Sequence, residues 1–146
     1  AYTRFAAKVR HITRFVIEDM QLPASAFRAS NAVRGKKLTW HDPCHLSRHL
    51  GLREQPRKIL KSLANARYVE MPNADRCCGM GGQFNLLYYE LSMKIAARKA
   101  EAVEAADADI VVTACPGCQF QLLDILSRRK KPQKVMRLME VLDQEW

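Results

Sequence analysis

The sequence predicts an α/β domain: a small parallel, Rossmann-like sheet with helices on both faces and cysteines clustered at the carboxyl ends of the strands. Three observations carry this expectation. Short strand-like runs alternate with stretches of helical period, the pattern of a parallel sheet built from crossover units. One run, "ADIVVTA" at 108–114, is apolar and β-branched, as a strand covered on both faces must be. And each of the first three candidate strands is followed by cysteine.

The elements follow in chain order. Phe5, Val9, Ile12 and Val16 recur at helical spacing with Phe15 beside them, which predicts one amphipathic helix over about residues 2–20. "LPASAFRASNAVRGKK" reads as a connection with one short helical turn, and "KLTWHD" as a strand ending at Pro43. "QPRKILKSLA" places Pro56 near a helix start and Ile59, Leu60 and Leu63 on its buried face. "ARYVEM" is a second strand closed by Pro72. The longest helical pattern runs from Phe84 to Ala106, with Phe84, Leu87, Leu91 and Ile95 as its stripe. After the "ADIVVTA" strand, "CQFQLLDIL" is a helix with Leu122, Leu123 and Leu126 inward. "KVMRL" then forms a last strand and "MEVLDQEW" a last helix.

Composition narrows the function classes. The 146 residues suffice for one domain with its own core. The sequence has neither an apolar run of membrane-spanning length nor a secretory signal at its arginine-bearing start. The chain starts at Ala1 already in helical period, which favours a piece of a longer polypeptide. The formal charge is +9, densest at Arg128–Lys131, with a smaller run at Arg34–Lys37. Such a balance suits an anionic partner, but no nucleic-acid motif accompanies it, so no nucleic-acid partner is expected. Five cysteines, an odd number, argue against an extracellular disulfide framework and for metal or redox chemistry in a reducing cytoplasm.

Those cysteines are Cys44 after the first strand, Cys77 and Cys78 after the second, and Cys115 and Cys118 after the third. A parallel sheet sends all three strand ends to one edge, where ligands of such folds bind. Cys115-Pro116-Gly117-Cys118 lets two sulfurs reach one centre from a helix start, which favours thiolate. Alone, that motif fits a dithiol, half a zinc site or part of an iron–sulfur site. The adjacent pair Cys77–Cys78 suits a cluster better than a single ion, because each sulfur can reach a different metal atom. Gly79, Gly81 and Gly82 leave the backbone free to bend around a bulky ligand and to donate amides to sulfur. Structural zinc and an ordinary cubane cluster each take four ligands, so five thiols overfill both.

"HDPCHL", "CCGMGG" and "ACPGC" together resemble the CCG (cysteine-rich) domain family. Its pattern is a cysteine, a gap of thirty-odd residues, Cys-Cys-Gly, a second such gap and C-x-x-C. The gaps here are 32 and 36 residues, and the resemblance covers about Lys37 to Leu142. The family includes the cysteine-rich subunit of heterodisulfide reductase and the iron–sulfur subunits of glycolate oxidase and lactate-utilisation systems. "VVTACPGCQFQL" looks most like the second, C-terminal domain of the glycolate/lactate type, implying a C-terminal part of a longer subunit rather than a complete enzyme. The resemblance implies a noncubane 4Fe–4S cluster ligated by Cys44, Cys77, Cys78, Cys115 and Cys118, or zinc, as in a few relatives. It also implies a flavin-containing or other redox subunit as partner, electron transfer or thiol/disulfide chemistry, and association with a quinone-reducing partner at the inner membrane face. Met80 and Arg137 stand where relatives often have glycine and histidine.

Nearby side chains have two readings each. His45 can donate to sulfur or carry a proton, or simply hold its loop. His41 is expected to cap or pack, His49 to lie on the surface, and Asp42 to stabilise the turn at Pro43 by an Asx-type bond. Met80 covers the site or fills a gap.

Overall fold

The computed structural model describes residues 2–142. Four strands form one sheet: β1 (Lys37–Trp40), β2 (Arg67–Tyr68), β3 (Ile110–Thr113) and β4 (Lys134–Arg137). Their order is β2-β1-β3-β4 and every pairing is parallel. Chain order reverses direction between β1 and β3, so the crevice beyond their carboxyl ends is the natural ligand site of the fold.

Alternation along the central strands divides the core into two layers. Leu38 and Trp40 of β1 and Ile110 and Val112 of β3 face a layer with Leu46, Leu52, Ile59, Leu60 and Leu63. That layer is covered by α3 (Glu54–Lys61) and α7 (Leu138–Leu142), as the stripe Ile59-Leu60-Leu63 predicts. Val111 and Val135 face the other way, against α5 (Tyr89–Ala105) and α6 (Pro116–Arg128), where Ala96, Ala100, Val103, Leu122 and Leu126 are buried. Helices thus cover both faces, as an all-parallel sheet requires.

Several expectations are corrected. The single helix over 2–20 is broken: α1 spans Tyr2–Ala6, and α2 begins at Ile12 and widens into a π-type turn over Phe15–Asp19. His11 starts the second piece, its Nδ1 accepting from the Thr13 amide at 3.3 Å. The stripe does not reach the core: Phe5 and Val9 are exposed, while Val16 and Ile17 pack against it. The connection contains two 3₁₀ turns, Ala24–Ala26 and Asn31–Val33, rather than one.

The long helix is also interrupted. α4 spans Gln83–Leu87, Tyr88 leaves helical geometry (φ −128°, ψ 50°), and α5 follows. Its buried face is Ser92, Ala96, Lys99, Ala100 and Val103, while Leu87 and Leu91 are exposed. The reason is distance: a Cβ on Gly79 would lie 2.5 Å from the Ser92 carbonyl oxygen, so only small side chains fit where the loop crosses α5. In α6, Leu122 and Leu126 are inward but Leu123 is not. "ARYVEM" supplies a two-residue edge strand, and of "MEVLDQEW" only the part up to Leu142 lies within the described residues. The basic run at 128–131 ties the end of α6 to α5, Arg129 reaching Glu101 and Glu104 and Lys131 reaching Glu104, while Arg128 pairs with Asp124 within α6.

Candidate metal centre

All five cysteines line one cavity of ≈ 290 Å³ at the carboxyl edge of the sheet, together with His41. Each arrives by a local rule. The chain leaves β1 through Asp42-Pro43 into a turn whose first residues hydrogen-bond back to the Pro43 carbonyl, and Cys44 sits at its head. The loop after β2 is fastened to the same place by the Asp42 amide, which donates to the Ala74 carbonyl at 3.0 Å. It delivers Cys77 and Cys78. Cys115 caps α6, Pro116 is its first residue, and Cys118 lies in its first turn.

The thiols are graded by depth. Cys44 and Cys77 are exposed, Cys115 is half-buried, and Cys78 and Cys118 are buried; all five are unbridged. Cys77, Cys78 and Cys118 lie side by side in the cavity wall. The bond to Cys118, then burial, push the Cys78 thiol up to about 12, against a lowering contribution from Cys77. Cys77 is raised by its bond to Cys78 and by burial, although the Gly79 amide donates to its sulfur at 3.3 Å.

Glycine plays two different parts here. Gly82, at φ 60° and ψ −118°, lies in the cavity wall in a backbone geometry that L side chains avoid. Gly81 also lines the cavity. Gly79 stands behind it, where α5 leaves no room for a Cβ. Ser92 Oγ donates to the Gly79 carbonyl at 2.8 Å, and Asn85 bridges Ser92 and Gln121. Met80 is half-buried in the cavity wall beside Gly117.

The histidines divide. His45 and His49 are exposed, and His45 lies outside the cavity lining. His41, expected to cap or pack, is instead in the cavity wall at 1% exposure, and neither ring nitrogen has a hydrogen-bond partner. Burial, aided by the charge of Lys99, pushes its pKa down to about 3 against the pull of Asp42, so the ring is neutral. Its ligand atom and those of Cys78 and Cys118 lie within 4.8 Å of one another. A buried imidazole beside two thiols is a candidate metal ligand or hydrogen-bond donor to sulfur. The signal in the sequence was the spacing His41-x-x-Cys44, the same spacing as the C-x-x-C pair.

Asp42 makes no Asx turn. Its carboxylate accepts from Trp40 Nε1 at 2.7 Å and from both Arg57 Nη atoms at 2.9 and 2.8 Å. Arg137, at the end of β4, is exposed and pairs with Glu140.

The fold and its cavity mark a doubly covered parallel α/β domain whose switch point is a thiol-lined cavity. The chain belongs to the cysteine-rich (CCG) domain family, whose model matches residues 38–123. It is 34% identical to lactate utilization protein A of Lysinibacillus sphaericus over 138 residues, 94% of this chain and 58% of that protein. A second relative is a subunit of the fumarate reductase (CoM/CoB) of Methanothermobacter marburgensis, 39% identical over 108 residues, 73% of this chain and 22% of that one. A third is an iron–sulfur protein of Methanococcus maripaludis, 38% identical over 112 residues, 73% of this chain and 23% of that one. The chain thus spans little more than half the length of the lactate relatives it matches. These relatives support an iron–sulfur, oxidoreductase-type domain. No helix among the described residues is long and apolar enough to cross a membrane.

Proposed function

We propose that this chain is an iron–sulfur redox domain of a hydroxy-acid-oxidising complex of the lactate-utilisation type, with Cys44, Cys77, Cys78, Cys115 and Cys118 as ligands. One observation carries the reading: five unbridged thiols, two of them adjacent, line a single cavity. The residues fit the group. The cavity wall is rich in thiol donors, Gly81 and Gly82 bare its backbone, and the Gly79 amide already donates to sulfur. A noncubane 4Fe–4S cluster held there would supply one-electron chemistry. Around it, Cys78 and Cys118 form the buried floor and Cys44 and Cys77 the exposed mouth through which a partner is reached. A flavin-bearing subunit would oxidise the hydroxy acid, and this domain would pass the electrons toward a quinone-reducing partner at the cytoplasmic membrane face. The lactate relatives align over 94% of the chain, which supports this setting.

A second reading is favoured by the convergence of His41, Cys78 and Cys118: a zinc-bound docking domain without electron transfer. A neighbouring thiol would complete its four ligands.

Metal and acid-labile sulfide analysis on protein purified without oxygen, with EPR of both redox states, separates the two. About four irons and four sulfides per chain, lost in Cys77→Ser and in Cys78→Ser, are expected. One tightly held zinc with no sulfide would overturn the iron–sulfur reading.

A further inference from the structure

Lys99 is a fully buried lysine on α5, with 0% of its surface exposed. Such burial is rare, because removing an ammonium from water is costly unless something compensates it. Its partners among the described residues are the Asn73 carbonyl at 2.8 Å, the Ala74 carbonyl at 3.1 Å and the Met71 thioether sulfur at 3.9 Å, with no carboxylate. Arg57, the other strongly buried cation, has two carboxylates. Lys99 therefore carries a charge whose counterpart is missing from its immediate contacts.

Its position suggests that counterpart. Asn73 and Ala74 belong to the loop that delivers Cys77 and Cys78, so the ammonium grips that loop a few residues before the thiols. The same Ala74 carbonyl accepts from the Asp42 amide, so Lys99 also helps tie this loop to the Cys44 segment. Burial, with a smaller push from Arg76, draws its pKa down to about 8, a value that thiolates formed on metal binding would raise again. Several thiolates gathered at one edge need a cation in the low-dielectric interior, and Lys99 is a buried cation that holds the loop carrying two of them.

We propose that Lys99 is the buried countercharge of the thiolate centre, a positioning residue that holds the Cys77–Cys78 loop and favours the more negative, reduced state of the bound metal group. This rests on the iron–sulfur reading above. The test compares Lys99→Gln, which can still donate to the loop carbonyls, with Lys99→Arg, which keeps the charge, both in protein purified without oxygen. Iron content, circular dichroism and the midpoint potential from an EPR-monitored redox titration are measured. The Gln variant is expected to fold and to show about a tenfold lower reduced-to-oxidised ratio at fixed potential, a downward shift of about 59 mV for a one-electron couple. The Arg variant is expected to stay close to the unsubstituted protein. An unchanged potential in Gln, or an equal drop in Gln and Arg, would overturn the countercharge. Failure of the Arg variant to fold, while Gln retains the normal potential, would do the same, because it leaves Lys99 a packing role only. If the protein holds zinc and no sulfide, the iron–sulfur reading fails by itself. The countercharge is then read from zinc affinity, expected to fall about tenfold in Gln and not in Arg, and equal affinities would refute it.

Discussion

Replacing Arg57 with Met would strand a buried carboxylate beside the thiol-lined cavity. The Arg57 side chain is 10% exposed and that of Asp42 4%, and the two are joined by a bidentate pair at 2.9 and 2.8 Å. Burial opposes the charge on Arg57, but the hydrogen bonds from Asp42 and Glu70 outweigh it, and the guanidinium is held above its ordinary value. In Arg57→Met, Asp42 keeps only the Trp40 indole as a side-chain donor. Breaking a buried pair from one side costs about 3–5 kcal/mol. The Glu70 half, with its side chain 47% exposed, is a surface pair worth about 0–1 kcal/mol. Against a total stability of about 5–15 kcal/mol, the first loss is large. At about 2–4 °C per kcal/mol for a domain somewhat over this size, the melting temperature should fall by about 6–20 °C. Thermal unfolding of metal-free protein measures it, with Asp42→Asn and the double variant completing a cycle. The double variant should be more stable than Arg57→Met, because Asp42→Asn removes the stranded charge. A loss in Arg57→Met no larger than that in Glu70→Gln would refute the reasoning, because the buried half of the network would then contribute nothing.

Two further outcomes follow from the same geometry. Gly79→Ala puts a Cβ 2.5 Å from the Ser92 carbonyl oxygen at φ +97°, so it should cost at least about 1–3 kcal/mol and lower metal retention, and an unchanged melting curve would refute the close crossing. For Glu70, burial works upward, but the hydrogen bonds from Arg57 and Tyr68 hold its pKa below the usual 4.5. Its stabilising contribution is therefore complete above the unfolded value and lost as pH falls through the folded one. Urea midpoints at about pH 6 and about pH 3.5 should converge between Glu70→Gln and the unsubstituted protein on the acid side, and a difference that persists unchanged at low pH contradicts the pairing.

How much was legible depends on what sets each feature. Strand identity and the Ile59-Leu60-Leu63 stripe are legible because local periodicity reports burial when the neighbour is a broad apolar sheet. Periodicity misplaces the buried face of α5, favouring Leu87 and Leu91 over Ser92 and Ala96. It ranks residues by hydrophobicity, whereas close approach to the Gly79 backbone selects them by size. At residues 2–20 it implies one straight helix, but the Phe5–Val9 portion finds no core among the described residues and a new helix starts at the His11 cap.

The sequence by itself determined that the five cysteines meet, because each set follows a strand and a parallel sheet carries every strand end to one edge. That inference needs only strand order along the chain. Only the tertiary structure decided which thiols are buried and which open to solvent, and that His41 turns into the cavity while Asp42 turns away to Arg57. It also decided that a lysine twenty-one residues beyond Cys78 returns to grip the loop that carries it. These are contacts between segments distant in the chain, set by the spacing between sheet and helices, and no local pattern of residues encodes that spacing.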